Sequence, residues 1–469
     1  MAVPKWVRDA IFYQVFPDRF ANGDPGNDPP NVRPWNAKPT GWGFHGGDLQ
    51  GVIDHFDYFL DLGVNAIYLN PIFLAASNHR YDTHDYFRID PKLGDLKVFQ
   101  ALIQKAHDNN VRIILDGVFN HCGRGFFAFA DVLANQEHSP YRDWFHIRRF
   151  PLHAYESQNQ FNYQAWWNIR SLPKFNTDNP AVREFIYSVA RYWIEQGADG
   201  WRLDVPTEID DDSFWDDFRS QVKQINPDAY LVGEVWEVNP RFVDERHFDG
   251  LMNYPVRGTL LDFIAKRGIS PSEFAQRIDH ILQAYAQENN YAHYLLLGSH
   301  DTERIRTLCN GDDRVVRQAF LFQMGFPGAP AIYYGDEIGM SGGKDPDCRG
   351  AFPADDTHWD HNLREYVKEL IHLRHRLEVL RRGDYRTLLT DNESGVFAYV
   401  RSSQRESVVI VLNIADEARS VPLAVGSIGW ESGREVLNAV TKEQFQVKDD
   451  GLWLHLPARG GALLHIPAS

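Results

Sequence analysis

The sequence predicts an α/β protein built on a (β/α)8 TIM barrel, with one inserted domain and a C-terminal antiparallel β-sandwich domain. Eight short apolar runs alternate with amphipathic helical patterns through residues 1–382. Strands that alternate with helices form a parallel sheet, and eight such units are the number that closes a barrel. From residue 383 the helical pattern gives way to short alternating runs, which indicate a separate antiparallel β domain.

The eight apolar runs lie at residues 10–16, 65–72, 111–119, 200–206, 230–236, 250–255, 294–301 and 330–337. Helical patterns separate most of them. The clearest helix precedes the fourth run, because Asn179 is a candidate N-cap, Pro180 suits the first helical position and Gly197 ends the pattern. We expect the barrel to comprise residues 1–121 and 176–382.

A long segment, residues 122–175, interrupts this rhythm and is rich in Phe, Trp, Tyr and Asn. We predict that it forms an inserted domain on the third βα loop. The active sites of such barrels lie at the carboxyl ends of the strands, so the insertion should overhang the site. Residues 383–469 form the predicted C-terminal β domain.

Composition excludes several classes of protein. The net charge of −16 argues against nucleic-acid and anionic-membrane partners, because both need a basic surface. No apolar stretch approaches the length of a membrane span, and the N-terminal segment has no signal-peptide pattern. Cys122, Cys309 and Cys348 lie at no metal-ligand or redox spacing. These features predict a cytoplasmic protein without a disulfide framework.

Polar side chains stand at the carboxyl ends of four of the runs, where a barrel places its active site. They are Asp116, Asn120 and His121 after the third run, Arg202 and Asp204 in the fourth, Glu234 in the fifth, and His300 and Asp301 in the seventh. Arg202 and Asp204 are two positions apart in a strand, so both should lie on one face. An isolated pair of this kind is more often structural than catalytic. Its combination with the other strand ends favours catalysis.

This set of groups suits the cleavage of a glycosidic bond, which uses one carboxylate as nucleophile and one carboxylic acid as proton donor. Arg202 should keep Asp204 ionised. An apolar approach that includes Trp236 should raise the pKa of Glu234 and keep it protonated. Asp301 can bind sugar hydroxyl groups.

Four segments, "DGVFNH" (116–121), "GWRLDV" (200–205), "GEVW" (233–236) and "GSHD" (298–301), resemble in this order the conserved regions of the α-amylase family, glycoside hydrolase family 13. A fifth, "LPKFN" (172–176), resembles that family's additional signature. The similarity is closest to the neopullulanase, cyclomaltodextrinase and maltogenic amylase group. It implies a catalytic barrel, an inserted B domain and a C-terminal β domain.

The resemblance also implies roles for individual residues. Asp204 matches the nucleophile, Glu234 the general acid/base and Asp301 the transition-state stabiliser of a double displacement that retains the α configuration. The residues implied to bind the sugar on the non-reducing side of the cleaved bond are Arg202, His121 and His300, Tyr81 as an aromatic platform, and Asp345 and Arg349 as clamps on hydroxyl groups. Judged without the resemblance, Tyr81 is equally consistent with a core aromatic.

The stretch "ANGDPGNDPP" (21–30) suggests a second site. The oxygen-bearing residues are Asn22, Asp24, Asn27 and Asp28, which the resemblance joins with Gly46 and Asp48. Oxygen ligands of this kind suit a structural calcium ion, although a polar turn explains the same composition. No organic cofactor is expected.

The sequence departs from the group in two places. Its members usually carry an additional N-terminal β domain that helps to pair subunits and wall the cleft, whereas this chain starts at the first barrel strand. The oligomeric state is therefore open, with a monomer as one alternative. Glu237 stands where a histidine often follows the tryptophan, and Glu208 lies near the acceptor subsites, so linkage preference is open as well.

The main hypothesis is a retaining α-glycosidase that hydrolyses mainly α-1,4 bonds in maltooligosaccharides, cyclodextrins or related short α-glucans. One alternative keeps the fold but transfers the glucosyl unit, as a transglycosylase or sugar isomerase does. Another is a catalytically inert sugar-binding relative. The inert alternative is disfavoured, because nucleophile, acid and stabiliser are all present together.

Overall fold

The structure is a computed structural model of the chain and describes residues 3–155 and 161–467. The strands of its first part are β1 (Phe12–Val15), β2 (Ala66–Leu69), β3 (Phe73–Ala75), β4 (Thr83–Ile89), β5 (Arg112–Gly117), β6 (Gly200–Leu203), β7 (Tyr230–Gly233), β8 (Gly250–Leu251), β9 (Tyr294–Leu296) and β10 (Ala329–Tyr333). Eight of them form a parallel sheet in the order β8-β7-β6-β5-β2-β1-β10-β9. β3 and β4 pair separately as an antiparallel hairpin.

The parallel sheet closes on itself. A parallel bridge joins Met252, just after β8, to Tyr294 of β9. The Asn253 amide also donates a hydrogen bond to the Tyr294 carbonyl at 2.8 Å. Each of the eight apolar runs contains one barrel strand, so the predicted (β/α)8 fold class is confirmed.

Fourteen helices accompany the strands in the described part of the chain. They are α1 (Pro17–Phe20), α2 (Leu49–Asp54), α3 (Phe56–Leu62), α4 (Leu96–Asp108), α5 (Phe127–Asn135), α6 (Pro180–Glu195), α7 (Asp212–Ile225), α8 (Tyr254–Ile264), α9 (Pro271–Gln283), α10 (Gln287–Asn290), α11 (Ile305–Leu308), α12 (Asp313–Gly325), α13 (His361–Arg376) and α14 (Glu378–Arg382). Among the described residues, no helix is both long and apolar enough to cross a membrane.

Helix α6 begins and ends where its sequence predicts. The Asn179 side chain accepts a hydrogen bond from the Ala181 amide, and Pro180 occupies the first turn, where its missing N–H costs nothing. Gly197 follows the helix with a φ of +101°, a conformation that favours glycine. Because both ends of α6 are fixed in this way, the position at which β6 begins is also fixed.

The barrel interior changes from apolar to polar along the strands. At one end the Phe12 ring packs against Tyr230 and Tyr294, with ring centroids 5.8 and 5.2 Å apart. Further towards the carboxyl ends, the buried side chains are Gln14, Asn70, Asp116 and Arg202. The apolar layer supports the fold, and the polar layer forms the floor of the candidate site.

The inserted segment contains α5 and folds onto the barrel through aromatic contacts. Phe126 packs against Phe185 of α6, with ring centroids 5.3 Å apart. An antiparallel bridge joins His121 to Lys174, so the two ends of the insertion lie side by side. Residues 156–160 of the insertion lie outside the described residues.

The C-terminal strands are β11 (Asp384–Asp391), β12 (Val396–Ser402), β13 (Ser407–Asn413), β14 (Arg419–Leu423), β15 (Glu435–Asn438), β16 (Gln444–Gln446), β17 (Leu452–Leu456) and β18 (Gly461–His465). They form a six-stranded sheet and the two-stranded β14–β17 sheet, both antiparallel. One buried cluster includes Val396 and Val409 of the larger sheet and Val421 and Leu454 of the smaller. The predicted antiparallel domain is confirmed, whereas the exact domain boundaries stay a prediction.

Candidate active site

The side chains that the sequence placed at strand ends meet at the carboxyl end of the barrel. Asp116 in β5 stands beside Arg202 in β6 in the strand register. Asp204 follows β6, Glu234 follows β7, and His300 and Asp301 follow β9. Apart from Asp301, whose side chain is partly exposed, these groups are buried.

Arg202 is the centre of the site. One of its terminal nitrogens lies 2.8 Å from Asp116 Oδ1 and 2.8 Å from Asp204 Oδ1. The other lies 3.0 Å from Glu234 Oε2. The predicted pairing of Arg202 with Asp204 is present, but the same cation also serves two further carboxylates.

Burial raises the pKa of two carboxyl groups in the site, Asp204 and Glu234. Burial raises the pKa of Asp204 well above its usual range; Arg202 opposes this rise, while Glu234 and Asp116 add to it. Burial also raises the pKa of Glu234, again against the effect of Arg202. Arg202 lowers the pKa of Asp204, as expected, but burial has the larger effect in the opposite direction. The negative charge of Glu234 also raises the pKa of Asp204, so the two carboxyl groups influence each other's protonation.

Glu234 is held from two further directions. Its Oε2 accepts a hydrogen bond from the Val205 amide at 3.0 Å, and its Oε1 accepts one from the Trp236 indole N–H at 3.1 Å. The Trp236 ring is 52% exposed and stacks on Tyr254 at 3.7 Å. Trp236 does reach Glu234, but as a hydrogen-bond donor, so the raised pKa of Glu234 comes from burial.

Asp301 has the opposite environment. Its Oδ2 lies 3.0 Å from His300 Nε2, and its Oδ1 lies 3.2 Å from an Arg349 nitrogen. Burial alone would raise the pKa of Asp301, but its interactions with His300 and Arg349 outweigh this effect and lower the pKa below the usual range. Asp301 is therefore an ionised carboxylate.

Tyr81 joins this network through its hydroxyl group. That hydroxyl donates to Asp116 Oδ2 at 2.7 Å and lies 2.5 Å from His300 Nε2. The Gln14 amide nitrogen is 2.9 Å from His300 Nδ1, so Nδ1 accepts and the imidazole proton is assigned to Nε2. The half-buried ring of Tyr81 is thus fixed in position at the edge of the site.

His121 begins a series of parallel rings that leads out along the insertion. Its ring lies 5.1 Å from that of Trp166, which lies 4.6 Å from that of Trp167. Burial lowers the pKa of His121 to about 3, so the ring is neutral. Sequence reasoning noted the aromatic content of the insertion but missed these two tryptophans, for which the adjacent "WW" was the available signal.

The remaining two predicted sugar ligands also reach the site. Arg349 Nε donates to the His300 carbonyl at 2.8 Å, while a terminal nitrogen of Arg349 lies 3.2 Å from Asp345 Oδ1. The Asp345 carboxylate is half exposed, and Arg349 is buried. All of the predicted catalytic and sugar-binding residues therefore belong to one network.

The loop after Asp204 is strained and anchored. Val205 has a φ of +36°, which is unusual for a β-branched residue. Lys174, in the signature that closes the insertion, donates to the Glu208 carbonyl at 2.7 Å and lies 3.1 Å from its carboxylate. These contacts tie the insertion to the loop that follows Asp204.

The predicted calcium ligands form one loop cluster. Asn22 Nδ2 donates to both Asp28 oxygens, at 3.0 and 3.1 Å. The Oδ1 atoms of Asn22 and Asn27 are buried and have no hydrogen-bond partner. Burial raises the pKa of Asp28, and the nearby carboxylates Asp48 and Asp24 add to the rise. Unpartnered amide oxygens beside carboxylates fit a hard cation.

Two members of the predicted set have other functions in the loop. Asp48 accepts hydrogen bonds from the amides of Gly23, Asp24 and Gly51 and from the Asn27 side chain, which uses its four lone-pair positions. Gly46 has a φ of +87°, and a Cβ there would lie 2.3 Å from Asp28 Oδ1. Within residues 3–155 and 161–467, no three His, Cys, Asp or Glu side chains are arranged to hold a metal by themselves.

A barrel that gathers four carboxylates, a shared arginine and two histidines at its carboxyl end has the groups that a glycoside hydrolase site needs. The chain matches the family "Alpha amylase, catalytic domain" over residues 14–373 and "Maltogenic Amylase, C-terminal domain" over residues 385–463. It belongs to the α-amylase family and is a glycoside hydrolase of the cyclomaltodextrinase and neopullulanase type.

Similar proteins cover almost the whole chain. A cyclomaltodextrinase of Geobacillus thermopakistaniensis is 46% identical over 462 residues, which are 98% of this chain and 77% of the relative. Neopullulanase 2 of Thermoactinomyces vulgaris is 44% identical over 464 residues, covering 98% and 78%. The structure of a cyclic α-maltosyl-(1→6)-maltose hydrolase from Arthrobacter globiformis, in complex with that cyclic sugar, matches with a TM-score of 0.91, 39% identity and coverage of 99% and 100%.

Proposed function

We propose that the protein hydrolyses mainly α-1,4-glucosidic bonds in maltooligosaccharides, cyclodextrins or related short α-glucans, with retention of configuration. The observation that carries this proposal is the placement of Asp204 and Glu234 on one guanidinium group, at 2.8 and 3.0 Å. Sharing a cation favours the short separation of about 5 Å between carboxyl groups that is typical of retaining enzymes. A cytoplasmic location stays a prediction.

In the first step, Asp204 attacks the anomeric carbon and forms a glycosyl ester, while the bond to the leaving oxygen breaks. Glu234 donates its proton to that oxygen, so the first sugar product leaves as a neutral molecule. In the second step, Glu234 removes a proton from water, the oxygen of that water attacks the same carbon, and the Asp204 ester is released. Two inversions give net retention.

The surrounding residues bind and stabilise the reacting sugar. Asp301, ionised because of His300 and Arg349, places negative charge where an oxocarbenium-like carbon develops. Neutral His121, whose Nε2 has no hydrogen-bond partner among the described residues, donates to a sugar hydroxyl group. His300 Nε2 contacts Tyr81 and Asp301 in the same subsite. The Tyr81 ring supports the apolar face of the same sugar.

A proton NMR time course with maltotriose tests the proposal. The anomeric signals of the new reducing ends should appear first as the α anomer, and only later equilibrate with the β anomer. Early β-anomeric product would refute retention. Products longer than maltotriose would show that transfer to a sugar competes with transfer to water, which is the alternative activity.

We also propose that the Asn22–Asp28 loop holds a structural calcium ion. The ligands would be the side-chain oxygens of Asn22, Asp24, Asn27 and Asp28 and the carbonyl of Gly46, with Asp48 anchoring the loop. A bound ion stabilises the fold by about 2.7 kcal/mol when its concentration is 100 times its Kd.

Two measurements test the ion without an activity assay. Elemental analysis of gel-filtered protein should find calcium, and calorimetry should show a lower Tm after treatment with EDTA. Asp28→Asn should lower the calcium content and reduce the Tm difference between calcium-loaded and EDTA-treated protein. Asp57, an exposed aspartate at the start of α3, provides the control, because Asp57→Asn should leave both quantities unchanged. Equal Tm values with calcium and with EDTA would contradict the proposal.

A further inference from the structure

Trp42 is, among the described residues, the most exposed large hydrophobic side chain, at 82%. It lies in the loop that follows β1, on the end of the barrel that carries the site. Most of the indole ring therefore makes no contact with the rest of the described chain, and its apolar surface is free to pack against a ligand.

The backbone that presents Trp42 is held in place. The buried Asn78 amide nitrogen donates to the carbonyls of Thr40, Gly41 and Gly43, at 3.2, 3.3 and 2.8 Å. The Gly43 amide donates in turn to Thr40 Oγ1 at 3.0 Å. These contacts fix the carbonyls on both sides of Trp42, so its exposure is a built feature of the loop.

The same loop is joined to the candidate active site. Arg19, which is fully buried, donates from one nitrogen to the Gly43 carbonyl at 2.9 Å and from another to the Arg349 carbonyl at 3.0 Å. Lys38, four residues before Trp42, pairs with Asp347 at 3.2 Å. One buried cation and one ion pair thus connect the loop to the segment that carries the Asp345–Arg349 clamp.

A second connection passes through the loop that carries Tyr81. Asn78, which holds the Trp42 loop, directly precedes His79, whose ring lies 5.9 Å from that of Tyr81. Tyr81 and Arg349 both bind the sugar on the non-reducing side of the cleaved bond in the function proposed above. The Trp42 loop is therefore attached to both segments that carry these two residues.

We propose that Trp42 is a stacking platform for a glucose unit of the bound α-glucan, on the non-reducing side beyond the sugar at Tyr81. The inference rests on the proposed function. A glucose ring presents an apolar face of C–H groups, which packs on an exposed indole, while its hydroxyl groups stay in water. Nothing in this contact needs a charge, which fits a loop tip formed by Gly41, Trp42 and Gly43.

The test compares a long and a short substrate in Trp42→Ala. Loss of the platform should raise KM for maltoheptaose roughly tenfold, the effect of losing one aromatic contact. The value of kcat/KM for 4-nitrophenyl α-glucoside, which fills only the subsite at the cleaved bond, should change by less than about twofold. Trp42→Phe should recover part of the loss.

Trp453→Ala is the matched control, because Trp453 is 70% exposed on β17 in the C-terminal domain. This substitution should change neither KM for maltoheptaose nor kcat/KM for 4-nitrophenyl α-glucoside. An equal change on both substrates in Trp42→Ala, or no change on either, would overturn the proposal. A different molar mass of Trp42→Ala in light scattering would also overturn it, because it would show that a second copy of the chain covers the ring.

The outcome can be separated from a failure of the proposed function. Titration calorimetry of Asp204→Asn with maltoheptaose gives the Kd of the substrate without turnover. The Kd reports the contribution of Trp42 to binding. Adding Trp42→Ala to that variant should weaken binding roughly tenfold. If the unsubstituted protein cleaves no α-glucan, the proposed function is wrong; if it does and the added substitution leaves the Kd unchanged, only the platform is wrong.

Discussion

Replacing Glu234 by Gln should separate the two steps of the reaction. The substitution keeps the shape of the side chain and the hydrogen bond from the Val205 amide, which spans 3.0 Å in the unsubstituted protein. It removes the proton donor and one of the three carboxylates around Arg202. We expect kcat/KM for maltotriose to fall by about 10²- to 10⁴-fold, the usual contribution of a general acid, or about 2.7–5.4 kcal/mol.

The assay uses a second substrate whose leaving group needs no proton. Fluoride departs from α-glucosyl fluoride as the anion, so formation of the Asp204 ester should be slowed far less than with maltotriose. The ester should then accumulate, because the variant has no Glu234 carboxylate to remove a proton from the attacking water. Added azide should attack it without deprotonation, restore turnover and give α-glucosyl azide.

The structure also predicts the pH dependence of this variant. The Glu234 carboxylate contributes to the raised pKa of Asp204. Its removal should therefore move the acid limb of the α-glucosyl fluoride profile to lower pH. Glu245→Gln, an exposed residue in the loop after β7, is the control and should change nothing. If Glu234→Gln slows both substrates equally and azide has no effect, Glu234 is not the proton donor.

Three further predictions follow from the same contacts. In the unsubstituted protein, the plot of kcat/KM for maltotriose against pH should be bell-shaped. Its acid limb should lie above the ordinary aspartate pKa of about 3.9. The reason is that burial raises the pKa values of Asp204 and Glu234, and one of these two groups must lose its proton before the reaction starts. Trp166→Ala removes the ring that packs on His121 and should raise KM for maltotriose more than it lowers kcat in steady-state assays; a fall in kcat alone would contradict this. Asn179→Ala removes the N-cap of α6 and should cost about 1 kcal/mol, seen in calorimetry as a Tm lower by roughly 1–3 °C; an unchanged Tm would contradict this.

Local sequence patterns were enough to predict most of the barrel. Each apolar run contained a strand, since burial on both faces leaves a continuous apolar signature in a parallel sheet. The cap and stop of α6 were also readable, because Asn179, Pro180 and Gly197 act on their own backbone. Strand periodicity likewise predicted that Arg202 and Asp204 share a face, and a terminal nitrogen of Arg202 lies 2.8 Å from Asp204 Oδ1.

The electrostatics of the site could not be predicted in the same way. Arg202 binds Asp116 and Glu234, which lie on neighbouring strands and are distant from it in the chain. Sequence spacing contains no information about how many carboxylates share one guanidinium, so the opposing effects of burial, Glu234 and Asp116 on the pKa of Asp204 were not foreseen. The contact of Trp236 with Glu234 was foreseen, whereas its hydrogen bond was not.

The sequence by itself determined the fold class and predicted which polar side chains meet at the carboxyl end of the barrel. These features follow from periodicity and from residues that act where they stand, at the ends of their own strands. Only the tertiary structure decided how the barrel closes through Met252 and Tyr294, which three carboxylates contact Arg202, and how Arg19 joins the Gly43 loop to Arg349. Each of these depends on contacts between residues far apart in the chain, which form only when the strands and loops are packed together.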